Sequence, residues 1–127
     1  MQVVLNSKFF RTLGVRELAA KARALGFDGL DLCVRPGHPV NLDNVATALP
    51  AAVALWEKEG LVCPLATTPV TLVDPAAPEV EPLYAGCAAA GVPRVKIGFF
   101  PFTPGDDYWR LVEAARQALA GFARVGE

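Results

Sequence analysis

Four glycines divide the chain into units of similar length. They are Gly26, Gly60, Gly91 and Gly126, spaced 34, 31 and 35 residues apart, and each follows a helix-like stretch. Glycine just past the end of a helix commonly takes the left-handed conformation that terminates the helix. Because the spacing is close to the length of one strand-helix unit, the sequence predicts a strand and a helix repeated four times.

Short apolar runs supply the strands. The first three glycines lead into FDGLDLCV, LVCPLATT and VPRVKIGFF, and VVL lies near the start of the chain. Such Val-, Leu- and Ile-rich runs are typical of parallel strands covered by helices. The predicted strands are residues 2–6, 29–34, 62–67 and 94–98, and the predicted helices are residues 13–25, 43–59, 79–90 and 106–124.

Two prolines mark places where these elements are irregular. Pro50 falls inside the second helix, where it predicts either the start of a new helical segment or a kink. Pro64 falls inside the third strand. Because proline cannot donate a hydrogen bond to a ladder, Pro64 predicts a bulge or a strand that starts at this residue.

Length and composition limit the classes of protein to which this chain can belong. It has 127 residues, of which 53% are hydrophobic and 20% are charged, so it can offset the entropy of ordering and is not a disordered chain. A chain of this length buries a core without disulfides or a structural metal. Lys plus Arg number 12 and Asp plus Glu number 13, so we do not expect a nucleic-acid partner.

The sequence also predicts a cytoplasmic protein without a membrane partner. Its most apolar stretch, residues 45–56, is 12 residues long, whereas a membrane span needs roughly 20. The start of the chain lacks the pattern of a secretory signal. Cys33, Cys63 and Cys87 are odd in number and widely spaced, which indicates free, mostly buried thiols in a reducing compartment. With one histidine and no Cys-x-x-Cys, a Cys/His zinc site is not expected.

The four units correspond to half of a common architecture. Only Glu127 follows Gly126, where a fifth strand would begin, and an eight-unit barrel typically needs about 250 residues. We therefore predict an α/β fold of one domain, residues 1–127, with parallel strands in the order 1-2-3-4, as half of a (β/α)8 TIM barrel. The alternative is a small doubly wound domain, in which the strand order has a switch point.

Candidate functional residues follow the strands, because function in parallel α/β folds gathers at the carboxyl ends of the strands. The residues in these positions are Asn6, Ser7 and Lys8, the segment RPGHP at 35–39, Thr67 and Thr68, and Phe99, Phe100, Pro101 and Phe102 with Tyr108 and Trp109 beyond them. The aromatic residues of the fourth group can line an apolar pocket, cap the sheet or form a subunit contact.

Alternation within the strands adds charged candidates. In strands 2 and 4 the aliphatic residues share one face, so Asp31, Arg94 and Lys96 point to the other face, which is the interior of a barrel. Charged groups in that position need partners or a ligand. Asp31 and Lys96 therefore either line a polar substrate pocket or pair with each other, and the sequence leaves both possibilities open.

The loops after strands 2 and 3 offer further ligand contacts. Arg35 and His38 can bind a phosphate or carboxylate, and His38 can exchange protons near neutral pH. The alternatives are a solvent-exposed loop histidine, and for Thr67 a residue that ends the strand because of its β-propensity. The substrate-binding candidates are thus Asp31, Arg35, His38, Thr67 and Lys96, and no catalytic residue is identified.

The segment GFDGLDL at 26–32 resembles the xylose isomerase-like barrels, often called the sugar phosphate isomerase/epimerase family. The similarity extends over nearly the whole chain in short motifs: RPGH at 35–38, LP at 49–50, GL at 60–61, ATT at 66–68 and the strand after Gly91. The resemblance implies a (β/α)8 barrel that isomerises or epimerises sugars or polyols, usually with a divalent metal such as Mn, Mg or Zn.

What the resemblance implies for individual residues is limited to the binding pocket. The family's metal ligands, two Glu, an Asp and a His, lie mainly on later strands, so none transfers to this sequence and no cofactor is evident in it. The family commonly has Glu where this chain has Asp31. By lineage the chain is expected to act in aldose–ketose isomerisation or epimerisation of a sugar or sugar phosphate, but its own residues give no basis for catalysis by this half alone.

The alternative function is that of a non-catalytic half-barrel. It would serve as a homo-oligomeric assembly module or as a small-molecule binding module. Strands 1 and 4 would be open edges, and open edges invite pairing with another chain. The expected partner is a second copy or a complementary half-barrel.

Overall fold

Each strand of the sheet lies beside the next strand of the chain. The structure, a computed structural model, describes residues 1–127. The elements are β1 (Val4–Asn6), α1 (Val15–Ala24), β2 (Gly29–Cys33), α2 (Val45–Lys58), β3 (Val62–Thr67), α3 (Val80–Ala89), β4 (Val95–Lys96) and α4 (Tyr108–Val125), with a short 3-10 helix, Ser7–Phe10, after β1.

The sheet is entirely parallel, in the order β1-β2-β3-β4. This order confirms the predicted α/β fold and contradicts the doubly wound alternative, because no switch point interrupts it. Right-handed crossovers that always advance in one direction place all the helices on the same face of the sheet. The other face corresponds to the interior of a barrel.

The helix-covered face holds the core. Leu30, Leu32 and Val34, which alternate along and just beyond β2, are 0% exposed, as is Trp56 of α2. The Trp56 indole N–H donates to the Val15 carbonyl oxygen at 2.9 Å and so joins α2 to α1. α2 continues through Pro50 as one helix, so this proline does not start a new segment.

The ladder between β2 and β3 contains the irregularity that Pro64 predicts. Gly29 pairs with Val62, but Asp31 pairs with Leu65, so three steps on β3 oppose two on β2. The extra residue confirms a bulge, which leaves one residue of β3 out of the ladder and shifts the register by one residue as far as Thr67.

Strand β4 is shorter than the sequence predicts. Its ladder covers Val95–Lys96 instead of residues 94–98. Beyond it, the N–H groups of Gly98 and Phe99 donate to the carbonyls of Leu72 and Val70, at 2.8 and 3.1 Å. A Cβ on Gly98 would lie 2.3 Å from the Val70 oxygen, so glycine permits this approach of the chain to the loop after β3.

Three of the four repeating glycines end their helices as predicted. Gly26, Gly60 and Gly91 have φ values of 76°, 76° and 66°. Gly126 differs, because its φ is −84° and its N–H still donates to the carbonyls of Phe122 and Ala123. The left-handed conformation therefore occurs at the three glycines that lead into a strand, and not at Gly126.

The cysteines are free and buried, as the sequence predicts. Burial raises the pKa of the Cys63 thiol to about 12 and that of Cys87 to about 11, so both stay protonated at neutral pH. None of the helices combines the length and the apolar character needed to span a membrane.

Candidate ligand-binding site at the carboxyl ends of the strands

Asp31 lies at the centre of the polar face of the sheet. One carboxylate oxygen accepts a hydrogen bond from the Asn6 side-chain amide at 2.5 Å, and the other accepts one from the Thr67 hydroxyl at 2.7 Å. Asn6 ends β1 and Thr67 ends β3, so the strands on either side of β2 each contribute one donor. Two neutral donors thus hold the carboxylate in a fixed orientation without neutralising its charge.

The start of the 3-10 helix fixes Asn6 in turn. The Asn6 side-chain oxygen accepts the Lys8 backbone N–H at 2.9 Å and caps this helix, which leaves its amide nitrogen free for Asp31. Ser7 is 0% exposed, and its hydroxyl accepts the Cys33 N–H at 2.8 Å, where β2 ends. The loop after β1 is therefore tied to β2 at the level of the site.

The loops after β2, β3 and β4 are connected through Arg35 and Thr68. The Arg35 Nε donates to the Thr68 carbonyl oxygen at 2.9 Å. The Thr68 hydroxyl and backbone N–H both reach the Lys96 carbonyl oxygen at 3.0 Å. Arg35 is thus oriented at its Nε, while its two terminal nitrogens take part in no salt bridge.

His38 is buried, so the alternative of a solvent-exposed loop histidine is wrong. Its exposed fraction is 9%, and its backbone N–H donates to the Arg35 carbonyl oxygen at 3.1 Å across the turn formed by Pro36 and Gly37. The imidazole Nδ1 is buried without a hydrogen-bond partner. Burial lowers the pKa of His38 below its ordinary 6.5, and the positive charges of Arg35 and Arg11 lower it further.

The lowered pKa of His38 predicts a loss of stability in mild acid. The unfolded chain takes up a proton near pH 6.5, whereas the folded chain takes it up only at lower pH. The unfolded state therefore binds more protons, and the free energy of unfolding falls as the pH drops below 6.5 and through the folded pKa. Urea unfolding at pH 7, 6 and 5 measures this fall.

The matched variant is His38→Gln, which keeps a polar side chain and removes the titration. His38 is the only histidine of the chain, so we expect a clearly smaller fall for the variant over the same pH range. Equal pH dependence of the two proteins would contradict the effect that we assign to His38.

Asp31 and Lys96 do not form the ion pair that the sequence left open. The salt bridges of the structure join Arg23 to Glu59 and Arg116 to Glu113. Lys96 pairs in register with Thr67, but its side chain is exposed. The carboxylate instead takes the two neutral donors described above, because these reach it directly from the neighbouring strands.

Of the predicted site residues, the structure joins Asp31 directly to Thr67, and it places Arg35 and His38 in one loop. The Lys96 carbonyl accepts hydrogen bonds from Thr68, and no salt bridge joins the Lys96 side chain to Asp31. Asn6, Ser7 and Thr68 also make contacts at this edge. Their position at the ends of strands predicts them as functional candidates, although not as substrate-binding residues, and it does not predict which groups they contact.

The residues after β4 form an exposed surface. We define the aromatic patch as Phe99, Phe102, Tyr108 and Trp109, whose exposed fractions are 58%, 59%, 56% and 75%. The Tyr108 ring makes edge-to-face contacts with Phe102 and Trp109, at centroid distances of 6.1 and 5.1 Å. The patch therefore does not line an enclosed pocket.

The residues do not fit the divalent metal that the resemblance implies. No group of three or more His, Cys, Asp or Glu side chains lies close enough to hold a metal ion. We therefore derive no chemical step through a metal in this chain.

Comparison with known proteins supports the fold. No protein-family model matches the sequence, and no curated protein sequence matches it. Among solved structures, the chain is similar to a xylose isomerase domain protein from Planctomyces limnophilus, with a TM-score of 0.54 and 17% identity. The fold is that of a xylose isomerase-like half-barrel. The match covers 86% of this half-barrel and 46% of the other chain, so the half-barrel spans about half the length of that protein.

Proposed function

We propose that this half-barrel binds a sugar or sugar phosphate at the carboxyl ends of its strands, as the amino-terminal half of a sugar isomerase or epimerase. The observation that carries the proposal is the Asp31 carboxylate, held by Asn6 and Thr67, with the Arg35 side chain oriented in the loop that follows the same strand. The reaction class, aldose–ketose isomerisation or epimerisation, follows by analogy from the fold and needs its own test.

Asp31 suits a ligand that carries several hydroxyl groups. Each of its oxygens accepts one hydrogen bond in the structure, and a carboxylate oxygen has room for about two. The free positions can accept hydroxyl protons of a sugar. Asn6 and Thr67 keep the carboxylate from rotating, so little conformational entropy is lost when the ligand binds.

The cations favour an anionic group on that ligand. Arg35 is oriented by its Nε bond to Thr68 and presents two terminal nitrogens, a geometry that matches phosphate or carboxylate. Lys8 and Arg11 belong to the loop after β1, and neither takes part in a salt bridge. Arg35 therefore supplies positive charge in the loop that follows the strand of Asp31.

The proposal assigns binding and orientation to this half, and no proton transfer. Asp31 and His38 are the titratable side chains with a suitable position, but nothing in the structure joins them to each other. Catalysis would need groups that this half does not supply.

Binding of fructose 6-phosphate, fructose and inorganic phosphate, followed by NMR chemical shifts and calorimetry, tests the proposal. We expect fructose 6-phosphate to bind and to shift the amide signals of Asn6, Asp31 and Thr67. Arg35→Gln should weaken its binding by about 10- to 100-fold, because hydrogen bonds to charged groups contribute about 1.5–3 kcal/mol. Asp31→Asn should weaken the binding of fructose as well, since it removes the charge that accepts hydroxyl protons.

The matched control is Arg16→Gln, which removes the same charge from the exposed surface of α1. It should leave binding unchanged. Absence of binding by any of these ligands, or equal losses for Arg35→Gln and Arg16→Gln, would contradict the proposal. A separate assay for interconversion of aldoses and ketoses distinguishes an active half-barrel from a binding module.

A further inference from the structure

The Asn6 side-chain amide lies across the polar face of β2. Its nitrogen donates to the Asp31 carboxylate at 2.5 Å, and its oxygen accepts the Cys33 S–H, with 3.5 Å between sulfur and oxygen. Asp31 and Cys33 are alternate residues of β2, so their side chains share one face and lie roughly 7 Å apart. One amide with a hydrogen bond at each end therefore spans the distance between them.

The two ends of this amide are not interchangeable. A half-turn of the amide would place its N–H groups against the Cys33 S–H and the Lys8 N–H, and its oxygen against the Asp31 carboxylate. Donors would then meet donors, and an acceptor would meet an anion. The Lys8 N–H belongs to the same loop as Asn6, whereas the thiol belongs to the strand that carries Asp31. The thiol therefore ties the oxygen end of the amide to the same strand as the carboxylate.

The surroundings of Cys33 keep its thiol in the form that donates a hydrogen bond. The residue is 0% exposed, and its backbone N–H donates to the Ser7 hydroxyl at 2.8 Å. Burial raises the pKa of the Cys33 thiol above its ordinary 9.0 against the opposing charge of Arg35, and the Asp31 carboxylate raises it further. The thiol is therefore protonated at neutral pH. Since Cys33 is already enclosed, its contacts do not depend on what covers the rest of the sheet.

We propose that Cys33 is a positioning residue of the candidate site. Its S–H holds the Asn6 amide so that the amide N–H orients the Asp31 carboxylate toward the hydroxyl groups of a sugar. Thr67 donates to the other carboxylate oxygen, so every donor of this network leads to Asp31. Cys33 acts through Asn6, because an enclosed thiol does not touch a ligand. The effect on ligand binding rests on the proposed function, whereas the effect on the amide does not.

Three variants test this role. Cys33→Ala removes the donor, Cys33→Ser keeps a donor on a side chain of similar size, and Cys63→Ala is the matched control. Cys63 is a buried, free cysteine on the neighbouring strand β3, and its S–H faces the Leu65 carbonyl oxygen at 3.7 Å. Both alanine variants lose a buried sulfur and should lose similar stability, so unfolding alone does not distinguish them.

The side-chain amide signals of Asn6 in NMR spectra provide the first readout. We expect Cys33→Ala to shift these signals and to speed the exchange of the amide protons with water, Cys63→Ala to leave them unchanged, and Cys33→Ser to restore them. The rescue by serine separates loss of the donor from loss of volume. Unchanged signals in Cys33→Ala, equal changes in the two alanine variants, or a serine variant that behaves like the alanine variant would each overturn the proposal.

Infrared spectroscopy of the S–H stretch examines the hydrogen bond in the unmodified chain, so it holds even where Cys33→Ala does not fold. Cys33→Ser and Cys87→Ser assign the bands by removing them one at a time. A hydrogen bond lowers the stretching frequency of its donor. The Cys33 band should therefore lie below that of Cys87, whose thiol is buried without a hydrogen bond. Equal frequencies of the two bands would contradict the proposal.

Binding of fructose connects this role with the proposed function. Cys33→Ala should raise the dissociation constant by about 3- to 10-fold, the effect of one lost hydrogen bond, whereas Cys63→Ala should leave it unchanged. Equal affinity of Cys33→Ala and the unmodified chain would overturn the positioning role in binding. If the Asn6 signals respond as expected but the unmodified chain binds no fructose, the proposed function fails and the control of Asn6 by Cys33 stands.

Discussion

Replacing Trp56 with alanine is expected to lower the free energy of unfolding by about 3–5 kcal/mol, the largest loss that we expect from truncation of one side chain. The Trp56 side chain is 0% exposed, and its indole N–H donates to the Val15 carbonyl oxygen. The substitution therefore leaves a large cavity and also removes a link between α2 and α1. Urea unfolding monitored by circular dichroism measures the loss as a lower midpoint.

Two variants separate the causes of this loss. Trp109→Ala is the matched control, because Trp109 is 75% exposed and its loss should change the stability by less than about 0.5 kcal/mol. Trp56→Phe keeps most of the apolar volume and removes the hydrogen bond, which on its own contributes about 0.5–1.5 kcal/mol. Similar losses for Trp56→Ala and Trp109→Ala would show that the core is not centred on Trp56.

A single methyl group at Gly29 is expected to cost about 3 kcal/mol or more, because the backbone of the neighbouring strand would have to move. A Cβ on Gly29 would lie 1.9 Å from the Val62 carbonyl oxygen and 2.7 Å from its carbonyl carbon. Gly29 pairs with Val62 immediately before the bulge at Pro64. Gly29→Ala therefore pushes β2 away from β3 two residues before Asp31, and it should weaken ligand binding along with stability.

Gly14→Ala is the control for Gly29→Ala. A Cβ on Gly14 would meet only the Glu17 carboxylate, at 3.4 Å, and that flexible side chain can move. Gly14 precedes α1, so the expected loss is about 1 kcal/mol or less, the effect of a poorer helix cap. Thermal and urea unfolding of both variants compare the two sites, and equal losses would contradict the close approach of the strands.

The strand order and the covered face could be predicted because both depend on local patterns. Gly26, Gly60 and Gly91 mark the ends of helices, and the alternation of Leu30 with Asp31 separates the core face from the polar face. The length of β4 could not be predicted in this way. It depends on the contact of Gly98 with the Val70 carbonyl, which belongs to a loop almost thirty residues earlier in the chain.

In the candidate site, too, local sequence patterns predict the orientation of a side chain but not its contacts. The orientation of Asp31 followed from alternation, but its partners did not. Asn6 lies 25 residues before Asp31 and Thr67 lies 36 residues after it, so only the packing of three strands brings them together. The burial of His38 depends on how its loop folds over the sheet, and the sequence around it indicates only a turn.

The strand order also has a consequence for how this chain folds. The substantial contacts between elements lie within one strand-helix unit or between successive units, so no unit depends directly on one further along the chain. Such nearest-neighbour arrays tend to fold by stepwise growth from whichever pair of units forms first. The first three units supply nearly all of the core, whereas the fourth is attached by a two-residue ladder, the hydrogen bonds of Gly98 and Phe99 to the loop after β3, and one end of a helix. We therefore expect the fourth unit to melt first and to reach an equilibrium of its own between docked and undocked forms.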